Sequence, residues 1–315
     1  TTDQVPIFDI QGWTDNLFPE AEGVSLANKL RQNGWPVKIA VADAGHPLAQ
    51  NKAAMWSVLN AQANAFLDHY LISGAAVPLD SSAQVTTCDG SAGATYTSGT
   101  SWAGLAPYRI TLSSGTQKAT TSAADSEVMG TQTDPITVAA VHGGSGACVV
   151  LPATGSLPTA FWDFPVTNAF TLLGEPALHL EVTVAGVDAE INARLWDVSA
   201  GRSSKTLVTR AAYRFTGTAG AISIDIPLQG NGWNFAVGHT IRLQVTQVDA
   251  AYLRPDTFPS AVTYNTMSLV LPTPTAPPST STTGPTTSAA MVTQLAATGG
   301  RGSRGLSEPS CRRSA

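Results

Sequence analysis

Near residue 75 the spacing of apolar residues changes from a helical period to a period of two, which restricts the chain to a fold built in two styles. Before the change, Val5 to Gly12 reads as a short buried strand. Pro19 to Asn33 reads as a helix with Ala21, Val24, Ala27 and Leu30 on one stripe and Gly34 at the C-cap position. The pattern then repeats: Val37 to Val41 is a second strand, and Asn51 to Leu71 a second helix with Met55, Leu59, Phe66 and Tyr70 on one face and Gly74 just past its end. Strand, helix, strand and helix at this spacing predict a right-handed parallel crossover unit.

From about Val77 to Leu271 apolar and polar residues alternate. Leu178, Leu180, Val182 and Val184 interleave with His179, Glu181 and Thr183, and Ile241, Leu243 and Val245 interleave with Arg242, Gln244 and Thr246. This predicts half-buried antiparallel strands, and no helix of ordinary length is readable after Gly74. An all-β sandwich of jelly-roll type fits. Pro272 to Ala315 has no aromatic residue and is dominated by Pro, Thr, Ser, Ala and Gly, the composition of a disordered, extended tail. The expected division is therefore 1–75, 76–271 and 272–315.

Charge excludes some functions. Only 12% of residues are charged, and the net charge of −5 conceals a tail with four arginines and one glutamate, so the body stands at −8. Such a body offers no footprint for nucleic acid. No stretch approaches the roughly 18 consecutive apolar residues of a membrane span. Thr1-Thr2-Asp3-Gln4 runs straight into the first strand, so the chain is expected to begin in mid-fold or at a processing site.

The residues able to do chemistry lie in the first region. Asp15 follows the first strand within Gly12-Trp13-Thr14-Asp15-Asn16, and His46 follows the second within Asp43-Ala44-Gly45-His46-Pro47. Neighbouring parallel strands lie about 4.8 Å apart, so both loops open on one sheet edge, where an acid can hydrogen-bond and orient an imidazole. The structural alternatives are a carboxylate capping the helix near Pro19 and a polar turn residue before proline. Asp9 and Asp43 are read as structural. His69, His142, His179 and His239 form no metal-ligand spacing, and neither a metal nor a cofactor is expected. Gly143-Gly144-Ser145-Gly146-Ala147 imitates a nucleophile elbow, but no helix follows it.

The segments VPIFDIQGWTDNLFPE and PVKIAVADAGHP, followed by LLGEPALHLEVTVAGVDAEINARLWDVSAG and GWNFAVGHTIRLQVTQVD, resemble the X-Pro dipeptidyl-peptidase and cocaine-esterase (CocE/NonD) family of serine hydrolases. The resemblance covers roughly residues 5 to 271. It implies the C-terminal part of an α/β-hydrolase core followed by a jelly-roll, galactose-binding-like β-sandwich. It makes Asp15 the triad acid and His46 the general base, with the nucleophilic serine, oxyanion hole and helical cap expected upstream of the chain. It also implies a substrate that is an X-Pro peptide or a small ester or amide. The rival reading is a non-catalytic cell-wall or carbohydrate-binding module using Trp102, Trp162, Trp196 and Trp233 as stacking platforms.

Low lysine and a Thr/Pro stalk suggest export, in which case Cys88 and Cys148 are expected to pair, with reduced buried thiols as the alternative and Cys311 left over. Leu295-Ala296-Ala297-Thr298-Gly299 is similar to the pentapeptide that some actinobacterial sortases cleave after threonine. It implies wall attachment through Thr298 and a secreted or cell-wall location.

Overall fold

The computed structural model describes residues 4–277 apart from 14, 16, 47–48, 100, 114–118, 123–147, 149, 154–159, 218, 248, 250–251 and 254–257. Strands dominate it and long helices are few. The Gly143–Ala147 motif, His142, Cys311 and Thr298 lie outside the described residues.

The first unit begins β1 (Ile7–Gly12), α1 (Glu20–Gln32), β2 (Val37–Ala42) and α2 (Ala53–Leu67), as the periodicity predicts. β2 is buried throughout, because its small and branched apolar residues serve two faces at once. Val37, Ile39 and Val41 pack with Val24 and Ala27 of α1. Ala40 and Ala42 pack with Met55 and Leu59 of α2. The helices therefore cover opposite faces, as side-chain alternation along β2 requires. Gly34 takes φ +80, the left-handed conformation expected after α1. The end of α2 differs from expectation. A wider, π-type turn over Asp68–Ile72 shifts the helical phase, Ser73 rather than Gly74 adopts positive φ, and Tyr70 is exposed.

Hydrogen bonding carries this sheet past the change of period. β3 (Ser81–Gln84) pairs parallel to β2, and β4 (Thr95–Ser98) pairs antiparallel to β3, giving the order β1-β2-β3-β4. Ser-Ser-Ala-Gln has no apolar alternation by which a strand could be recognised.

Two antiparallel five-stranded sheets make up the second unit. One has the order β13 (Gly220–Pro227), β10 (Ala177–Ala185), β16 (Ala261–Thr273) and β5 (Tyr108–Ser113), with β6 (Ala119–Ser122) also on β16. The other runs β7 (Val150–Pro152), β12 (Ser204–Thr216), β11 (Asp188–Val198), β15 (Thr240–Thr246) and β8 (Ala160–Pro165). β9 (Phe170–Gly174) and β14 (Asn231–Phe235) form a separate ribbon. Leu178, Leu180, Val182 and Val184 of β10 face Ile191, Ala193 and Leu195 of β11 in one core. β15 departs from the half-buried expectation: Arg242, Gln244 and Thr246 are buried as well. They are tolerated there because they are paired, Arg242 with Asp163 at 2.7 Å and Gln244 with the Trp196 indole at 2.8 Å.

The two units meet at backbone level. The Thr86 amide donates to the Gly232 carbonyl at 2.7 Å. A Cβ on Gly230 would lie 2.3 Å from Glu20 Oε1 and 2.8 Å from the Trp13 ring. Glu20 is fully buried at this seam. Its Oε1 accepts the Gly230 amide, while Oε2 has no hydrogen-bond partner among the described residues.

Burial raises the Glu20 pKa from 4.5 to about 7, helped by the nearby charge of Glu175 and opposed by the Gly230 amide. A carboxyl raised on folding contributes fully below its unfolded pKa, and the contribution disappears as pH climbs through about 7. Glu20→Gln keeps an acceptor for Gly230 and has no proton to lose. Relative to the native protein it is expected to gain stability between about pH 5 and pH 8, by on the order of 3 kcal/mol. Urea unfolding of both proteins across that range checks this, and parallel curves would contradict it.

Candidate active site

β1 and β2 stay in register to their last residues, with Gly12 opposite Ala42, so the loops that follow leave the sheet side by side. The Trp13 amide donates to the Ala42 carbonyl at 2.8 Å. A Cβ on Gly12 would sit 1.7 Å from the Ala44 carbonyl oxygen, so only glycine allows the loops to pass this closely.

From these loops Asp15 and His46 meet. Asp15 Oδ2 lies 2.7 Å from His46 Nδ1, and Oδ1 accepts the amides of Leu17 at 2.9 Å and Phe18 at 3.0 Å. One carboxylate therefore organises the turn leading into α1 and also holds the imidazole. The Asp15 side chain is 9% exposed and that of His46 41%. Burial alone raises the Asp15 pKa. The Phe18 amide, the His46 hydrogen bond, the Leu17 amide and the His46 charge together outweigh it, and the net shift is downward. Asp15 is thus a carboxylate at neutral pH.

With Nδ1 turned to Asp15, His46 Nε2 has no protein partner among the described residues, and the Phe18 ring lies against the imidazole at 5.2 Å. Gly45 holds the loop with φ +122, and a Cβ there would fall 2.7 Å from Asp15 Oδ2. Asn51 spans the loop, accepting from the Gly45 amide and donating to the Gly45 carbonyl, both at 3.1 Å. Asp43 is buried and accepts the Gln50 amide at 3.2 Å and its side-chain nitrogen at 2.7 Å. Asp9 accepts from Gln11 Nε2 at 2.8 Å. Both therefore do structural work in the loop and the strand.

Cys88 and Cys148 form a disulfide with Cα atoms 5.5 Å apart. Trp162, Trp196 and Trp233 are buried, Trp196 beneath the Lys205 ammonium, and Trp102 is half-buried against Trp13, so the first three present no ring for stacking a ligand. No cluster of His, Cys, Asp and Glu among the described residues has the arrangement of a metal site. His179 pairs with Asp225 and His239 with Asp197, each at 2.8 Å and both in the sandwich. Gln50, Phe18 and Gly45 carry no sequence signal beyond their place in the two loops.

An acid that accepts from Nδ1–H leaves Nε2 as the basic nitrogen, the orientation used to take a proton from a hydroxyl. Gly45→Ala is expected to push the Asp15 carboxylate off His46 and to cost more than about 1 kcal/mol, because alanine is strained at positive φ. Loss of the His46–Asp15 hydrogen bond in the proton NMR spectrum, with a lowered melting temperature, checks this.

No curated protein sequence matches the chain. Solved structures share its fold at low identity. An aminopeptidase from the marine sediment archaeon Thaumarchaeota archaeon aligns with TM-score 0.60 and 13% identity, over 85% of this chain and 54% of its own. An alpha-amino acid ester hydrolase aligns with TM-score 0.59 and 13% identity, over 87% and 56%. A CocE/NonD family hydrolase from Staphylococcus aureus aligns with TM-score 0.56 and 10% identity, over 86% and 54%. The chain spans about half the length of these structures. A family profile described as the X-Pro dipeptidyl-peptidase C-terminal non-catalytic domain matches residues 36–282, which include His46 but not Asp15. With most of its length matched, the chain belongs to the X-Pro dipeptidyl-peptidase C-terminal domain family and corresponds to the C-terminal portion of X-Pro dipeptidyl-peptidase and CocE-like hydrolases.

Proposed function

We propose that the chain supplies the acid and the general base of a secreted serine hydrolase that cleaves X-Pro peptides or small esters and amides. In this reading the parallel unit closes an α/β-hydrolase core and the sandwich is its jelly-roll domain. The observation that carries it is the 2.7 Å contact of Asp15 and His46 on loops after adjacent parallel strands. Asp15 fixes the tautomer with hydrogen on Nδ1, Nε2 accepts the proton of a serine hydroxyl, and the carboxylate stabilises the imidazolium that forms. Nε2 then returns the proton to the leaving group. The family description calls the domain non-catalytic, which suits the sandwich; the pair sits in the parallel unit, Asp15 before the match and His46 inside it.

Asp and His activate a nucleophile but supply none, so the serine comes from a polypeptide segment outside these 315 residues. β1 supports this. It is the outermost strand of its sheet among the described residues, half-buried over Ile7–Gln11, and Asp9 Oδ2 is buried there without a partner. A further strand beside β1 would cover that edge. The disulfide suits an oxidising compartment. Wall attachment through Thr298 rests on the pentapeptide alone.

The chain by itself is expected to turn over neither X-Pro anilides nor short-chain esters. Turnover abolished by a serine-directed phosphonate would refute this. In the complete enzyme Asp15→Asn should lower kcat by about 10⁴ with an unchanged circular dichroism spectrum. A complete enzyme that keeps its rate after His46→Ala would end the triad reading.

A further inference from the structure

The histidine loop is tied to the disulfide through one side chain. Gln50 Nε2 lies 2.7 Å from Asp43 Oδ2, 3.0 Å from the Thr87 carbonyl oxygen and 3.3 Å from Cys148 Sγ. Its two N–H groups serve the carboxylate and the carbonyl, and the sulfur packs against the same nitrogen. Asp43 precedes His46 by three residues, and the Gln50 backbone amide also donates to it at 3.2 Å. Thr87 precedes the bridged Cys88 and is held a second time by the Lys52 ammonium, which donates to its carbonyl and hydroxyl oxygens. The path from His46 to the bridge is therefore continuous: Asp43, Gln50, Thr87, then Cys88–Cys148.

We infer that Gln50 is a positioning residue for His46, and that the Cys88–Cys148 disulfide anchors it, so that the bridge governs how firmly the imidazole is held against Asp15. The inference rests on the acid–base reading of that pair. An anchor outside the loop matters because the part that carries the imidazole is partly exposed. Gly45 is exposed with positive φ, Asn51 also has positive φ, and the His46 side chain is 41% exposed. Beyond Thr86, whose amide is bonded to Gly232, the Thr87 segment is held by Gln50, Lys52, its own hydroxyl bond to Ser91 and the bridge. Cys88 is exposed, so a dissolved dithiol reaches it. Two electrons and two protons then pass from the reductant to the bridge, giving two cysteine thiols and a cyclic disulfide of the reductant.

The test uses the 315-residue chain labelled with ¹⁵N-histidine, in which only five histidines contribute. Asp15→Asn assigns the Nδ1–H resonance of His46. Gln50→Met keeps the side-chain length and removes the donors. It should speed solvent exchange of that proton about tenfold, the scale of one net hydrogen bond. Reduction by dithiothreitol, or Cys88→Ser with Cys148→Ser, should act in the same direction. The His179–Asp225 and His239–Asp197 pairs in the sandwich are internal controls, and their protons should not change. Exchange at His46 that is unaltered in oxidised, folded Gln50→Met protein overturns the inference. Acceleration at all three histidines together also overturns it, because that is general loosening. Neither result bears on the triad reading, which His46→Ala in the complete enzyme decides separately.

Discussion

The passage of Gly12 beneath the Ala44 carbonyl is the constraint on which the rest of the site depends. Register brings the ends of β1 and β2 level, but level ends alone leave two loops free to diverge. A residue without a side chain lets them touch instead, and the Trp13 amide closes the contact onto Ala42. Asp15 and His46, 31 residues apart in the chain, then share one hydrogen bond. Gly45 applies the same condition from the other loop, since only an absent Cβ leaves room for the Asp15 carboxylate.

Glycine also governs the seam between the two units. Gly230 and Gly232 bring the backbone around β14 against Trp13, Glu20 and Val85, where any side chain would collide. Trp13, beside the turn that carries Asp15, donates its indole hydrogen to β3 of its own sheet and meets Gly230 across the seam. The sandwich therefore acts on the acid loop through packing, with no group of its own at the imidazole among the described residues. A domain without catalytic residues can still limit the freedom of those beside it.

Legibility in the sequence followed how local each feature is. The two strand-helix units were readable because each strand and helix of the parallel unit has its own apolar period, and Asp15 and His46 stood out as loop residues after such strands. β3 was not readable, since Ser81-Ser82-Ala83-Gln84 joins the sheet by hydrogen bonding without any apolar alternation to mark it. The alternation in β15 was read correctly as a strand and incorrectly as having a solvent face. Polar residues that are buried and paired look the same in sequence as polar residues in water. Tyr70 lost its expected burial to a wider turn at Asp68, which changes the phase of the helix without a warning residue.

By itself the sequence determined the types of most elements, their order, and the presence of a carboxylate, an imidazole and a pair of cysteines in loops. These depend on short-range periodicity and residue chemistry, both written into neighbouring positions. The tertiary structure alone decided that Asp15 sits 2.7 Å from His46, that Gln50 links the histidine loop to the bridge, and that Glu20 is sealed at the seam. Each of those is a contact between segments far apart in the chain. Its existence depends on how closely two backbones can approach, and that is known only once the packing of everything around them is in place.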